Sequence, residues 1–497
     1  MNRTAIAGHQ TAGSHNSILK TKITALLLAV LLVFSLTGCT SINGLDKERA
    51  KAIETASADL QDVLTTAFSA AETPEEMLDA VVAFADENQI YYKVVNNNSV
   101  ILVKQATDET ADFPEITMHC SITADDPESS AAEAAAILTA LQESANSSKT
   151  TAIVTLKDGL FYTGVMALPT DYLKTGYLIN VSDSDEPVLF KNSASLDTHR
   201  FSHEFTAEPI TGYKSYEISI EGLTRSTPEQ IDEEQDDPVL ILYELLSWCE
   251  QTHIDYHLSS FKAGDSAETL PQSASITISI DPSDITKFQN KVYSMIEDFD
   301  ERHNGSEATE DAEAAESPEV PLFTLHHIDP LTEAIPPADM TEFIGLMYIL
   351  LGNFEYLSKN DVETTVGRQD FSLMDVSKSS MNFTISCRFM DASKEHDDSS
   401  AFQELARLND FTVLDRAIYP RWTPEEESLY GMTFEQSAKD AGLSLHSVST
   451  VDILETGVFA MKAPELPQIA VGISPENCAD LTKALVLFIE SAEQTAL

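Results

Sequence analysis

A chain of 497 residues is long enough for two or three domains, each with its own core. It carries 81 Asp and Glu against 30 Lys and Arg, a formal net charge of −51. A surface of that sign repels phosphate backbones and anionic headgroups, which excludes nucleic acid as a partner and anionic lipid as a docking surface.

The first 38 residues read as a leader, outside the fold. Arg3, Lys20 and Lys22 make a basic start, and Ile23 to Phe34 is an apolar run too short to span a bilayer comfortably. Leu36-Thr37-Gly38-Cys39 closes the run and resembles the bacterial lipobox. That resemblance implies cleavage before Cys39 and acyl chains, palmitate among them, on its thiol and new amino group. Two or more acyl chains anchor a protein stably, at roughly 0.8 kcal/mol per buried methylene. The expected location is the extracytoplasmic face of a bacterial cell membrane. Cys120, Cys249, Cys387 and Cys478 lie far apart in apolar runs and read as buried thiols. Their even number leaves disulfides open, but the spacing gives no framework.

Residues 39–72 read as a tether followed by a helix from Asp46 to Ala71. Thr73-Pro74-Glu75-Glu76 starts the next helix, with Thr73 as N-cap, Pro74 in the first turn and Glu76 completing a capping box. "YYKVV", "NNNS" and "VILVK" then read as strand, turn and strand. A strand at 115–121, a helix at 128–143 and strands at 151–156 and 177–181 continue an α/β layer over 73–211. The segment 212–328 changes pattern. A strand at 213–221, a helix at 229–252, strands at 254–262 and 273–281, a helix at 283–302 and a strand at 320–327 form the split β-α-β-β-α-β unit of ferredoxin-like domains. Its acidic connection 304–319, "NGSEATEDAEAAESPE", reads as a disordered loop. The α/β part resumes over 329–497 and ends in a helix at 478–495. The fold class is therefore α/β, with a ferredoxin-like α+β lid domain inserted into the larger domain.

Local sequences add a resemblance. "GYLINVSDSDEPVLFKNSASLDTHRF" followed by "GYKSYEISIEGL", then "FKAGDSAETLPQSASITISI", "YPRWTPEEESLYGMTFEQSAKDAGL" and "VDILETGVFAMKAPELPQIAVG" resemble, in order and spacing, segments of the aminoacyl-histidine dipeptidase (carnosinase-like) family of di-zinc metallopeptidases. The similarity runs from about residue 75 to 495. It implies a mixed-sheet, three-layer metallopeptidase-like domain carrying the lid, with zinc as cofactor, Xaa-His dipeptides as substrates, and dimers formed through the lid.

Di-zinc hydrolysis needs two metals bridged by a carboxylate and a water, with a separate base to take the proton from that water. Against the family pattern, His119 in "ITMHCSI" stands at a zinc ligand, and Ser121 replaces the Asp that would orient it. Asp126, before "PESSAAEAAAIL", best matches the bridging Asp. The Glu-Glu pair of base and ligand becomes Asp158-Gly159, leaving Asp158 as a shortened base position. Ser182 replaces a further ligand, and Asp183 beside it points to the opposite face of a strand. The lid histidine is missing around Thr227, and Gly472-Ile473-Ser474-Pro475-Glu476 keeps a Ser-Pro-Glu turn without its His. Arg388 and Glu455 remain as family framework residues.

Other motifs carry less. Ser259-x-x-Lys262 and Lys174-Thr175-Gly176 match penicillin-binding motifs in reversed order, and the first lies on a strand. His253 and His257 have ligand spacing for a helix but read as a strand, and His203-Glu204 lacks a second His at helical spacing. His326-His327 ends a lid strand, and Asp391 to Asp398 reads as a solvated acidic loop. The expectation is a lipid-anchored surface protein with a dipeptidase-like fold and a degenerate, non-catalytic metal site, binding a peptide, another small ligand or a surface protein partner. The alternative is an active zinc dipeptidase with a site rebuilt around His119, Asp126 and Asp158.

Overall fold

The computed structural model describes residues 45–491, apart from 108–109, 111–112, 146–147, 158–161, 224–235, 267–268, 305–320, 352–354, 358–364, 378 and 425–427. The leader with Cys39, the Asp158-Gly159 pair, Thr227 and nearly all of the acidic connection lie outside the described residues.

Long apolar strands that alternate with helices build the first sheet, of eight strands. Their order is Tyr91–Val95, Ser99–Lys104, Thr150–Leu156, Ile116–Ile122, Tyr177–Asp183, Gln468–Ile473, Val188–Phe190 and His446–Val448. The sheet is mixed. Ile116–Ile122 runs parallel to both neighbours, and the helix Pro127–Glu143 supplies the crossover that one of those pairings needs. All seven residues of Ile116–Ile122 are buried.

Register sorts the two faces of this strand. His119 lies opposite Ile153 and Asn180, and Ser121 opposite Thr155, so these residues share one face. The other face, with Met118, Cys120 and Ile122, meets the helix Pro127–Glu143. That helix is buried almost all round, because Lys47–Ser69 and Cys478–Ser491 cover its outer side. Its small residues allow the close approach. Ser57 Oγ sits 2.8 Å from Thr482 Oγ1, and the Cys478 thiol donates to the Ala132 carbonyl at 3.2 Å. Arg49 binds Glu490 and the Glu143 carbonyl at the far end. Helix, sheet and the short helices Thr163–Ala167 and Glu455–Lys462 on the His119 side make the three layers.

The second sheet has nine strands. Leu322–Ile328, Lys214–Glu221, Ala274–Ile280 and Tyr256–Ala263 come first, in the order of a ferredoxin-like unit, with Pro238–Gln251 and Ile285–Asn304 as its helices. The sheet then continues through Thr365–Val376, Ser380–Phe389, Ser195–Glu204 and Thr412–Tyr419, and Glu355–Leu357 pairs beside it. The join is short: Phe261, Lys262 and Ala263 pair with Val376, Asp375 and Met374. Strands flanking the inserted unit on both sides thus enlarge its sheet.

Several local readings change. Thr73 is the N-cap, but its side chain makes no capping bond, and Glu76 accepts from Glu72 N–H at 2.9 Å instead of closing the box on Thr73. The segment after Asp391 is helical, as Ala392–Leu408, because its chain continues into an amphipathic run that packs Phe402 and Ala406 on the second sheet. His253 sits in a turn at φ +55°, and only His257 lies on a strand. All four described cysteines are buried free thiols. Among the described residues no helix is long and apolar enough to cross a membrane.

The two sheets meet around Tyr162, whose hydroxyl donates to the Ile453 carbonyl at 2.6 Å while its N–H donates to the Tyr419 hydroxyl at 3.0 Å. Gly457 makes the same junction possible: a Cβ there would lie 2.0 Å from the Pro420 carbonyl oxygen. Gly457→Ala is therefore expected to cost roughly 2–3 kcal/mol, seen as a lower urea midpoint with an unchanged slope.

Candidate functional site

The polar face of Ile116–Ile122 is the candidate site. His119 is completely buried. Its Nδ1 lies 2.6 Å from Asn180 Oδ1, and its Nε2 lies 3.0 Å from Thr155 Oγ1. The Asn180 amide nitrogen donates to Ser182 Oγ at 2.9 Å and to Glu455 Oε2 at 3.0 Å. Ser121 Oγ is 3.0 Å from Thr155 Oγ1, and Ser182 Oγ donates to Glu455 Oε2 at 3.4 Å. The edge of Phe459 closes the ring in at 4.8 Å.

These contacts fix every donor and acceptor. Because the Asn180 nitrogen faces a carboxylate, its oxygen must accept, so His119 Nδ1 carries the hydrogen. Nε2 then accepts from the Thr155 hydroxyl, which in turn accepts from Ser121. One directed chain runs from Ser121 through Thr155, His119 and Asn180 to Glu455. Both His119 nitrogens are taken in its neutral form.

The remaining expected positions are placed as follows. Asp126 is the N-cap of Pro127–Glu143, and its Oδ1 accepts from Ser129 N–H at 3.0 Å. Asp183 turns to the opposite face, where Ser129 hydrogen-bonds its carboxylate. Ser474 bonds Asn477 Oδ1 at 2.9 Å within the short Pro475–Asn477 turn. Arg388 is fully buried within the second sheet, opposite Arg368 and Leu196. Among the described residues, no group of three His, Cys, Asp or Glu side chains with mutually close ligand atoms includes His119. Two surface depressions, a crevice of 10 Å³ at Tyr177, Tyr430 and Phe488 and an open groove along Lys47–Asp59, are not lined by His119.

No protein-family model matches the chain, and no curated protein matches it in sequence. Solved structures do. An aminoacylhistidine dipeptidase from Vibrio alginolyticus superposes with a TM-score of 0.60 at 14% identity, over 91% of this chain and 98% of that one. A tripeptidase from Staphylococcus aureus superposes with a TM-score of 0.50 at 10% identity, over 89% and 99%. The chain has the fold of that aminoacylhistidine dipeptidase.

On this dipeptidase fold, sequence reasoning reached His119, Ser121, Ser182 and Glu455 but missed Thr155, Asn180 and Glu133. The signal for the first two was present: Asn180 interrupts the apolar run "YLINV", and Thr155 follows "AIV" on an equally buried strand. Glu133 gave no signal, because an acid in a small-residue helix reads as solvent-facing, whereas here it is buried among groups as distant in sequence as Glu455.

Electrostatics reinforce the geometry. Burial holds the His119 ring below its usual pKa, against the opposing pull of Glu455 and Asn180. Burial also pushes the Glu133 carboxyl well above the ordinary range, and the carboxylates of Glu455, Asp183 and Asp126 add to it while Lys157 opposes. Burial and the surrounding carboxylates thus both favour the protonated form of Glu133.

The pH dependence of the Glu133 contribution is set by linkage. A group with a raised pKa contributes stability below its unfolded value and loses it as pH climbs through the folded value. Glu133→Gln should accordingly raise Tm by a few degrees at pH 8 and leave it nearly unchanged at pH 4.5. Asn180→Leu strands the His119 N–H and the Glu455 carboxylate, and should cost about 2–4 kcal/mol in urea denaturation at pH 7.

Proposed function

We propose that this chain is a lipid-anchored, extracytoplasmic, degenerate member of the aminoacyl-histidine dipeptidase group. It binds a peptide, another small ligand or a surface protein partner without cleaving it. One observation carries the reading: the directed hydrogen-bond chain that occupies both nitrogens of His119. A metal at Nε2 would have to displace the Thr155 hydroxyl inside a fully buried pocket. A working centre also needs several ligands, at least three from the protein for a single catalytic zinc. Asp126 is engaged in capping and Asp183 faces the other side of the sheet, so among the described residues the donor set does not fit two zinc ions. The lipobox at Cys39 supports the anchor, and the ferredoxin-like lid is the surface through which a homodimer would form.

A second reading has one observation in its favour. Glu455, Asp183 and Asp126 place negative charge around the buried Glu133, and Glu455 also acts on His119, a field that attracts cations. Together with the fold of an aminoacylhistidine dipeptidase, that supports an active enzyme with zinc held by His119, Asp126 and Asp158.

Purified full-length protein distinguishes the two. Incubation with a panel of dipeptides rich in Xaa-His, under added zinc, manganese or cobalt, is expected to give no hydrolysis above buffer. Metal-dependent cleavage lost in His119→Ala would establish the second reading and end the first.

A further inference from the structure

His203 lies near the end of Ser195–Glu204 in the second sheet, and its side chain is only 8% exposed. Its Nδ1 is 2.7 Å from the carbonyl oxygen of Asp410, in the turn after Ala392–Leu408. A carbonyl only accepts, so Nδ1 carries the hydrogen. Nε2 points at Asp339 Oδ1, 2.8 Å away and 136 residues along the chain. Glu342, three residues on in the helix Pro337–Leu350, shares the helix face with Asp339. The ligand atoms of His203, Asp339 and Glu342 all lie within 4.8 Å of one another. Phe411 and Phe205 flank the ring at 5.2 and 6.3 Å.

With the hydrogen fixed on Nδ1, a lone pair on Nε2 would face a carboxylate oxygen and be repelled by it. A positive species must lie between them, either a proton or a metal ion. Burial by itself would discourage the proton, but the hydrogen bonds to Asp339 and Asp410 outweigh burial and raise the affinity of His203 for it. The same arrangement is what a metal-ligating histidine requires: one nitrogen donating to a carbonyl, the other presented to acidic partners. The charged groups facing the ring are Asp339 and Glu342 from the helix and Asp410 from the turn.

We propose that His203 Nε2, with the carboxylates of Asp339 and Glu342, forms a divalent transition-metal site of zinc type that competes with the proton and ties the strand Ser195–Glu204 to the helix Pro337–Leu350. One imidazole and two carboxylates suit zinc, manganese or cobalt. Ligand atoms around a tetrahedral zinc stand roughly 3.3 Å apart. Asp339, whose side chain is 22% exposed on the first helical turn, has only to draw back slightly to reach that spacing. The site lies on the second sheet and is independent of how the His119 site is read.

Calorimetric titration of zinc chloride into metal-stripped full-length protein tests it. One equivalent is expected at pH 7.5, with affinity at least tenfold weaker at pH 5.5. Glu342→Gln should weaken binding at least tenfold without changing the melting temperature of the metal-free protein. His203→Asn should abolish binding, and His119→Asn should leave it intact. No uptake of zinc, or uptake indifferent to both the Glu342→Gln and His203→Asn substitutions, overturns the proposal. Binding lost in His119→Asn and kept in His203→Asn overturns it too, and would place the metal at the first sheet instead.

Discussion

The interaction on which the site depends is the hydrogen bond between His119 Nδ1 and Asn180 Oδ1, 2.6 Å long and wholly buried. An imidazole inside a sheet must have both nitrogens satisfied, because an unmet buried polar group costs about 1–3 kcal/mol. Asn180 meets one need and Thr155 the other. Asn180 can do so only because Glu455 and Ser182 take its amide hydrogens and so fix its orientation. The polarity of the whole chain therefore starts from a carboxylate on the helix Glu455–Lys462 and ends at a serine hydroxyl two strands away.

That arrangement separates a fold from a chemistry. Parallel strands deliver side chains to one face of the sheet in register, which is how a dipeptidase fold gathers ligands from several strand ends. Here the same register brings together His119, Ser121, Thr155, Asn180 and Ser182, which are neutral hydrogen-bonding groups. Such a set saturates itself. The acids that remain are distributed otherwise: Asp126 to a helix cap, Asp183 to the far face, and Glu133 to a buried position that favours its protonated form.

Much of the architecture was legible in the sequence. The buried strands and the helices between them fall within a few residues of their expected bounds, because full burial leaves unbroken apolar runs and helices leave a 3.6-residue period. Long-range pairing was not legible. Nothing in Ser195–Glu204 or Thr412–Tyr419 announces that they extend the sheet of the inserted unit, since the partners lie up to 223 residues away, Leu196 with Tyr419. At the site, His119, Ser121 and Ser182 could be singled out from motifs. The identity of the groups that satisfy His119 could not, because Thr155 and Asn180 act through register, a property of the assembled sheet. The loss of the Thr73 capping box shows the same limit at short range, where a one-residue change of partner follows from backbone geometry.

The central claim is that His119 is a neutral, fully hydrogen-bonded residue with no lone pair for a metal. Nitrogen-15 spectra of ring-labelled histidine test it most directly, with the His119 signals assigned by their absence in His119→Asn. The account predicts the tautomer protonated at Nδ1, with Nε2 as a hydrogen-bond acceptor, unchanged when excess zinc is added. A shift of the His119 Nε2 resonance to a metal-bound position on adding zinc would contradict it.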